Sequence, residues 1–115
     1  SSDVCSSDLR EFAVRLATNV RAVDLACRFG GEEFVVIMPD TGLEVAQRIA
    51  ERLRLHVAGS PFRVAGVDEP LMVTISIGVA CSVPDDTPDS LIKRADEGVY
   101  EAKAKGRNQV IARAA

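Results

Sequence analysis

The chain has 115 residues, with 14 Lys and Arg against 17 Asp and Glu and a formal net charge of -3. That length suits one hydrophobic core rather than two, and 47% hydrophobic residues are too many for a disordered chain. The mild acidity argues against a nucleic-acid-coating protein, which needs a basic field, and no apolar run approaches the roughly 20 residues of a membrane span.

Residues 1–9 carry a local repeat, Ser1-Ser2-Asp3 returning as Ser6-Ser7-Asp8, with neither helical nor strand periodicity. They resemble translated sequencing-adapter DNA and carry no signal-peptide pattern; a non-native or disordered tail is expected over 1–9, ahead of a single domain over 10–115. The three cysteines, Cys5, Cys27 and Cys81, form no C-x-x-C pair, and His56 is the single histidine. This argues against a zinc site and fits a reducing cytoplasm.

From Arg10 the pattern is helical, with Phe12, Ala13, Leu16, Ala17 and Val20 on one stripe. Leu25, Cys27 and Phe29 then alternate with polar or small residues, and Phe34 to Met38 is a second apolar strand. The Gly30-Gly31 turn between them predicts a β-hairpin. Thr41 with Glu44 reads as a capping box for a helix reaching about His56, with Leu43, Ala46, Ile49, Ala50, Leu53 and Val57 facing inward. Glu44 and Arg48 pair on its outer side.

Gly59-Ser60-Pro61 ends that helix. A short strand is expected over Phe62 to Val67. A longer one is expected over Leu71 to Val79, with Val73, Ile75 and Ile77 on one face. Thr87-Pro88 opens a second long helix, which Gly106 stops. Gly98 inside this helix marks close packing. A last strand is expected over Asn108 to Ala112. The order implies an α+β fold with helices covering an antiparallel sheet.

Three clusters could carry chemistry. At the hairpin tip, Glu32 and Glu33 offer oxygen ligands to a hard cation, and Gly30 and Gly31 allow close approach of a ligand. The same four residues also fit a plain turn with solvated glutamates. Lys103 and Arg107 flank Gly106 and could clamp a triphosphate, or simply complement a helix C-terminus. Arg21 and Asp24 could read a guanine through an arginine fork and a carboxylate acceptor, or be a charged pair at a helix end.

Taken together, the stretches resemble one family. Arg28-Phe29-Gly30-Gly31-Glu32-Glu33-Phe34 resembles the signature of the GGDEF diguanylate cyclases in its GGEEF form. Val36-Ile37-Met38-Pro39-Asp40-Thr41, Thr74-Ile75-Ser76-Ile77-Gly78-Val79 and Lys93-Arg94-Ala95-Asp96 agree in order. So do Tyr100, Ala102-Lys103 and Gly106-Arg107-Asn108. The likeness runs from about Arg10 to the end and is closest to the response-regulator type.

The resemblance implies a ferredoxin-like palm, similar to nucleotidyl cyclases, and condensation of two GTP into cyclic di-GMP with release of pyrophosphate. It implies Mg²⁺ or Mn²⁺ as cofactor and a homodimer for catalysis. A receiver or sensor domain upstream in the parent protein is implied as well. By the same likeness Glu33 is a metal ligand and Glu32 assists attack by the 3′-hydroxyl. Gly30 and Gly31 make room for the nucleotide, and Lys103 and Arg107 hold its phosphates. Arg21 and Asp24, with Arg52 from the next helix, resemble an inhibitory product site; Arg52 also fits a solvated helix face.

Members of the family carry a strand upstream of Arg10 with a metal-binding aspartate, followed by an Asn and an Asp that recognise guanine. Residues 1–9 match none of these. The expectation is a domain lacking its first strand, with exposed apolar faces, marginal stability and no activity as it stands. The alternative to an enzyme is a non-catalytic module that binds cyclic di-GMP. The intact pair Glu32 and Glu33 favours the enzyme.

Overall fold

The computed structural model describes residues 12, 14–16, 18, 19, 21, 25–28, 33–62, 66 and 68–115. Residues 12, 14–16, 18 and 19 are helical. They are followed by β1 (Leu25–Arg28), β2 (Phe34–Ile37), α1 (Leu43–Gly59), β3 (Ile77–Ala80), α2 (Pro88–Ala104) and β4 (Val110–Arg113). The expected tail over 1–9 lies outside the described residues, as do Ala13, Ala17 and Val20 of the first apolar stripe.

β1 and β2 form the antiparallel hairpin that the Gly-Gly turn predicts, with Leu25 opposite Ile37 and Arg28 opposite Phe34. Phe34 and Val36 turn into the core, and the Phe34 ring lies 4.8 Å from that of Phe12. Such tilted aromatic contacts add to plain area burial.

Helix α1 buries most of the stripe read from its periodicity: Ala46, Ile49, Ala50, Leu53 and Val57 are buried, while Leu43 in its first turn is half-buried. One side, with Leu53 and Val57, packs with Leu16 and Phe62 under β2 and residues 71–77. Another, with Ala46 and Ala50, meets Val79, Val110 and Ala112. Val57 and Phe62 are the largest fully buried side chains, and burying each contributes about 1.5–3 kcal/mol. The start of α1 differs from the expected capping box. Its N-cap is Gly42, with no side-chain cap. The Thr41 hydroxyl instead donates to the Pro39 carbonyl at 2.8 Å and accepts from the Arg21 guanidinium.

The strand expected over Leu71 to Val79 is a ladder only over Ile77–Ala80. Phe62 and Leu71 join in an isolated antiparallel bridge, which is what the described structure shows of the strand expected from Phe62. The reason is the partner: β4 has four residues and reaches only Ile77 to Ala80, and no described strand lies beside residues 72–76. The alternation survives without the ladder, since Val73, Ile75 and Ile77 pack on the core while Thr74 is exposed.

β3 and β4 run parallel, Ile77 opposite Val110, where the sequence led to an antiparallel arrangement throughout. Helix α2 supplies the crossover that a parallel pair requires. The fold is α+β, a ferredoxin-like palm with an antiparallel hairpin and this parallel pair as its described strands. Gly78 of β3 and Gly98 of α2 let the two backbones touch. A Cβ on Gly78 would stand 1.9 Å from the Ala95 carbonyl oxygen, and one on Gly98 would stand 2.9 Å from the Gly78 Cα.

Candidate functional site

The ladder closes at Arg28 opposite Phe34, so the connection over residues 29–33 is the hairpin tip. Gly30, Gly31 and Glu32 lie outside the described residues. Glu33 is described and exposed, one residue before the anchored Phe34. Its carboxylate is the oxygen donor a hard cation takes. Among the described residues, no group of three metal-ligating side chains gathers around it. The described donor suits Mg²⁺ or Mn²⁺ in kind but does not by itself make a site.

The second cluster is built by the end of α2. The Gly106 N–H donates to the Lys103 carbonyl at 3.4 Å and the Arg107 N–H to the Ala102 carbonyl at 2.8 Å. That is a Schellman motif, with Gly106 at φ 114° as its left-handed residue. The turn continues left-handed through Arg107 at φ 65° and Asn108 at φ 49°. Asparagine tolerates this conformation, but an arginine there costs roughly 1–2 kcal/mol, so the turn needs holding.

Gln109 holds it from within, donating to the carbonyls of Arg107 at 3.1 Å and Lys105 at 3.2 Å. Arg54 holds it from α1, donating to Asn108 Oδ1 at 2.9 Å. Arg54 is itself oriented by Glu51, through Nε at 2.9 Å and 3.1 Å and through a further guanidinium contact. These hydrogen bonds hold the Glu51 carboxyl below the usual carboxylate range and push Arg54 up. Lys103 and Arg107 are exposed, and neither cationic group has a partner among the described residues.

Arg21 is half-buried and donates to the Thr41 hydroxyl; Arg52, on the exposed flank of α1, donates to the Asn19 carbonyl at 2.6 Å. Arg21 thus reaches the segment just before α1, and Arg52 reaches from the middle of α1 back to the first helical stretch. Asp24, the carboxylate expected beside Arg21, lies outside the described residues.

A family model described as diguanylate cyclase, GGDEF domain, matches residues 3–109. The chain belongs to the GGDEF diguanylate cyclase family. It is 66% identical over 114 residues to response regulator PleD of Caulobacter vibrioides, covering 98% of this chain and 25% of PleD. It is 39% identical over 102 residues to diguanylate cyclase DgcP of Pseudomonas aeruginosa, covering 89% of this chain and 15% of DgcP. The chain thus spans a quarter or less of these two relatives. The coiled coil and GGDEF domain of DgcB from Caulobacter crescentus, solved in complex with c-di-GMP, superposes with a TM-score of 0.84 at 30% identity. That likeness covers 90% of this chain and 55% of DgcB's. GGDEF diguanylate cyclases generally use divalent metal ions.

Two structural groups of this GGDEF domain escaped the sequence reading. Arg15 is buried, and its guanidinium donates to the carbonyls of Val57 at 3.2 Å, Ser60 at 2.6 Å and Pro61 at 2.9 Å. It also lies 4.0 Å over the Phe62 ring, a cation–π contact. A signal existed: Phe12, Arg15, Leu16 and Asn19 share the helical apolar spacing, so two polar residues stand on the inward face. The other group is Asp86. Its carboxylate accepts from Arg94, from the Ser90 hydroxyl at 2.8 Å and from the Val83 N–H at 2.9 Å. With Arg94 the largest cause, these bonds hold the Asp86 carboxyl well below the usual range.

Proposed function

We propose that this chain carries the metal- and phosphate-binding part of the GTP site of a diguanylate cyclase, which condenses two GTP into cyclic di-GMP. The retained Gly30-Gly31-Glu32-Glu33 tip carries the reading, on a hairpin closed by Arg28 and Phe34 and with Glu33 open to solvent. Two copies face each other with one GTP each. The 3′-hydroxyl of each nucleotide attacks the α-phosphorus of the other. The bond to the β-phosphate bridging oxygen breaks, and one pyrophosphate leaves at each of the two steps.

Glu32 lies at the reacting end and draws the proton from the attacking hydroxyl. Glu33 offers its carboxylate to a divalent cation, Mg²⁺ or Mn²⁺, which when bound stabilises charge on the attacking and leaving oxygens. Gly30 and Gly31 let the nucleotide approach the backbone. Lys103 and Arg107, exposed and without partners among the described residues, hold the triphosphate. Arg21, Asp24 and Arg52 form a separate inhibitory site for the product. Arg52 reaching the Asn19 carbonyl, two residues from Arg21, supports this grouping. Use of GTP as substrate supports a cytoplasmic location. The response-regulator character of PleD supports a receiver or sensor domain in the longer protein.

The test is GTP turnover by the full-length protein that carries this chain, with Mg²⁺ and chromatographic detection of cyclic di-GMP. Product is expected, with a loss of about a hundredfold or more in Glu33→Ala and weaker product inhibition in Arg21→Ala. Cyclic di-GMP binding with no turnover by the unaltered protein would replace this reading with that of a receptor module.

A further inference from the structure

Resting on the reading of Arg107 as a phosphate-holding group, we infer that Arg54 is a positioning residue of the GTP site. It secures, through Asn108, the left-handed turn that presents Arg107. The turn runs through three consecutive residues of positive φ, two of them not glycine. A free chain would leave that conformation readily. The Schellman bonds fix its entry from α2, and Gln109 fixes its carbonyls, but all of these contacts lie within one short segment.

Arg54 differs because it comes from another element. It reaches across 54 residues from α1 to Asn108 Oδ1 at 2.9 Å, with the Asn108 carbonyl at 3.4 Å. The guanidinium is mostly buried, its side chain 17% exposed, and Glu51 forks onto its other edge. Glu51 neutralises the Arg54 charge and occupies its donors, so Arg54 is not itself a phosphate ligand. Arg107, adjacent to the clamped Asn108, has no charge partner among the described residues. The division of labour is one arginine paired and locked to shape the turn, and one arginine shown to the ligand.

Steady-state GTP kinetics and melting temperature of the full-length protein test this, for Arg54→Ala, Asn108→Gly, Arg107→Ala and the double variant Arg54→Ala/Arg107→Ala. Asn108→Gly keeps the left-handed backbone available and removes Oδ1, so it reports on the clamp even if Arg54→Ala folds poorly. Arg107→Ala is expected to raise KM for GTP about tenfold. Arg54→Ala and Asn108→Gly should each raise it about fivefold while kcat falls by less than about twofold, and the double variant should be no worse than Arg107→Ala alone. Arg48→Ala, on the outer face of α1, should leave KM unchanged. Two outcomes overturn the inference: an Arg54→Ala KM equal to that of the unaltered protein while Arg107→Ala raises it, or effects of Arg54 and Arg107 that multiply. An unchanged KM in Arg107→Ala would instead bring down the phosphate reading, and this inference with it.

Discussion

Helices α1 and α2 both have 17 residues, yet their ends are held in opposite ways. α2 is closed by its own sequence. Thr87 and Ser90 exchange a capping box at its start, Pro88 sits in the first turn, and Gly106 completes a Schellman turn at its end. α1 starts at Gly42 without a side-chain cap, and its last carbonyls are met by Arg15 from as far as 45 residues away. A helix capped locally can be placed from a few letters. A helix capped from a distance depends on tertiary structure for its ends.

The contrast can be broken most severely where α2 rests on β3. Gly78→Ala places a methyl against the backbone of Ala95 and Val99, neither of which can move as a side chain would. It should cost about 3 kcal/mol or more in a urea titration, enough to unfold a marginal domain. Arg15→Met comes next. The stem still fills the site beside Phe62, but the carbonyls of Val57, Ser60 and Pro61 lose their donor, and about 2–3 kcal/mol should disappear from the same titration.

Paired substitutions at the two helix starts sharpen the comparison. Thr87→Ala should lower stability by about 1 kcal/mol, while Thr41→Ala, with no cap to remove, should cost under about 0.5 kcal/mol. The last signal is a slope rather than a step. A carboxyl held low in the folded chain, as Asp86 is, contributes its full share above the ordinary carboxylate value near about 4. It loses that share as the pH falls toward the folded value. The stability gap between the unaltered protein and Asp86→Asn should therefore be constant above about pH 5 and narrow below about pH 4, read by thermal melts across that range.

These contrasts explain what was legible beforehand. The hairpin, the buried stripe of α1, both caps of α2 and the tight place at Gly98 follow from residues close in sequence, and the structure has them. The capping box at Thr41 is not formed: the N-cap falls one residue later, at Gly42, and the Thr41 hydroxyl bonds Pro39 and the more distant Arg21. The long strand over Leu71 to Val79 shortens because ladder length belongs to the partner strand, which periodicity does not report. The parallel sense of β3 and β4 is likewise a property of the crossover. At the candidate site, Glu33, Lys103 and Arg107 were visible as motif letters. Arg54 was not, because its meaning comes from Asn108, 54 residues on.

The local closure of α2 also divides the domain into locally built pieces. β3, α2 and β4 lie within residues 77–113, and their strand pairing and both caps of α2 are made among those residues. Short loops close at lower entropic cost and faster than long ones. Lys103 and Arg107 belong to this crossover unit, whereas Glu33 borders a hairpin with a much shorter connection, packed against Phe12 on the stretch that Arg15 ties to the end of α1. The clamp from Arg54 to Asn108 joins α1 to the crossover unit. The residues Lys103 and Arg107 and the residue Glu33 thus stand on two locally paired pieces that contacts from α1 and the first helical stretch bring together.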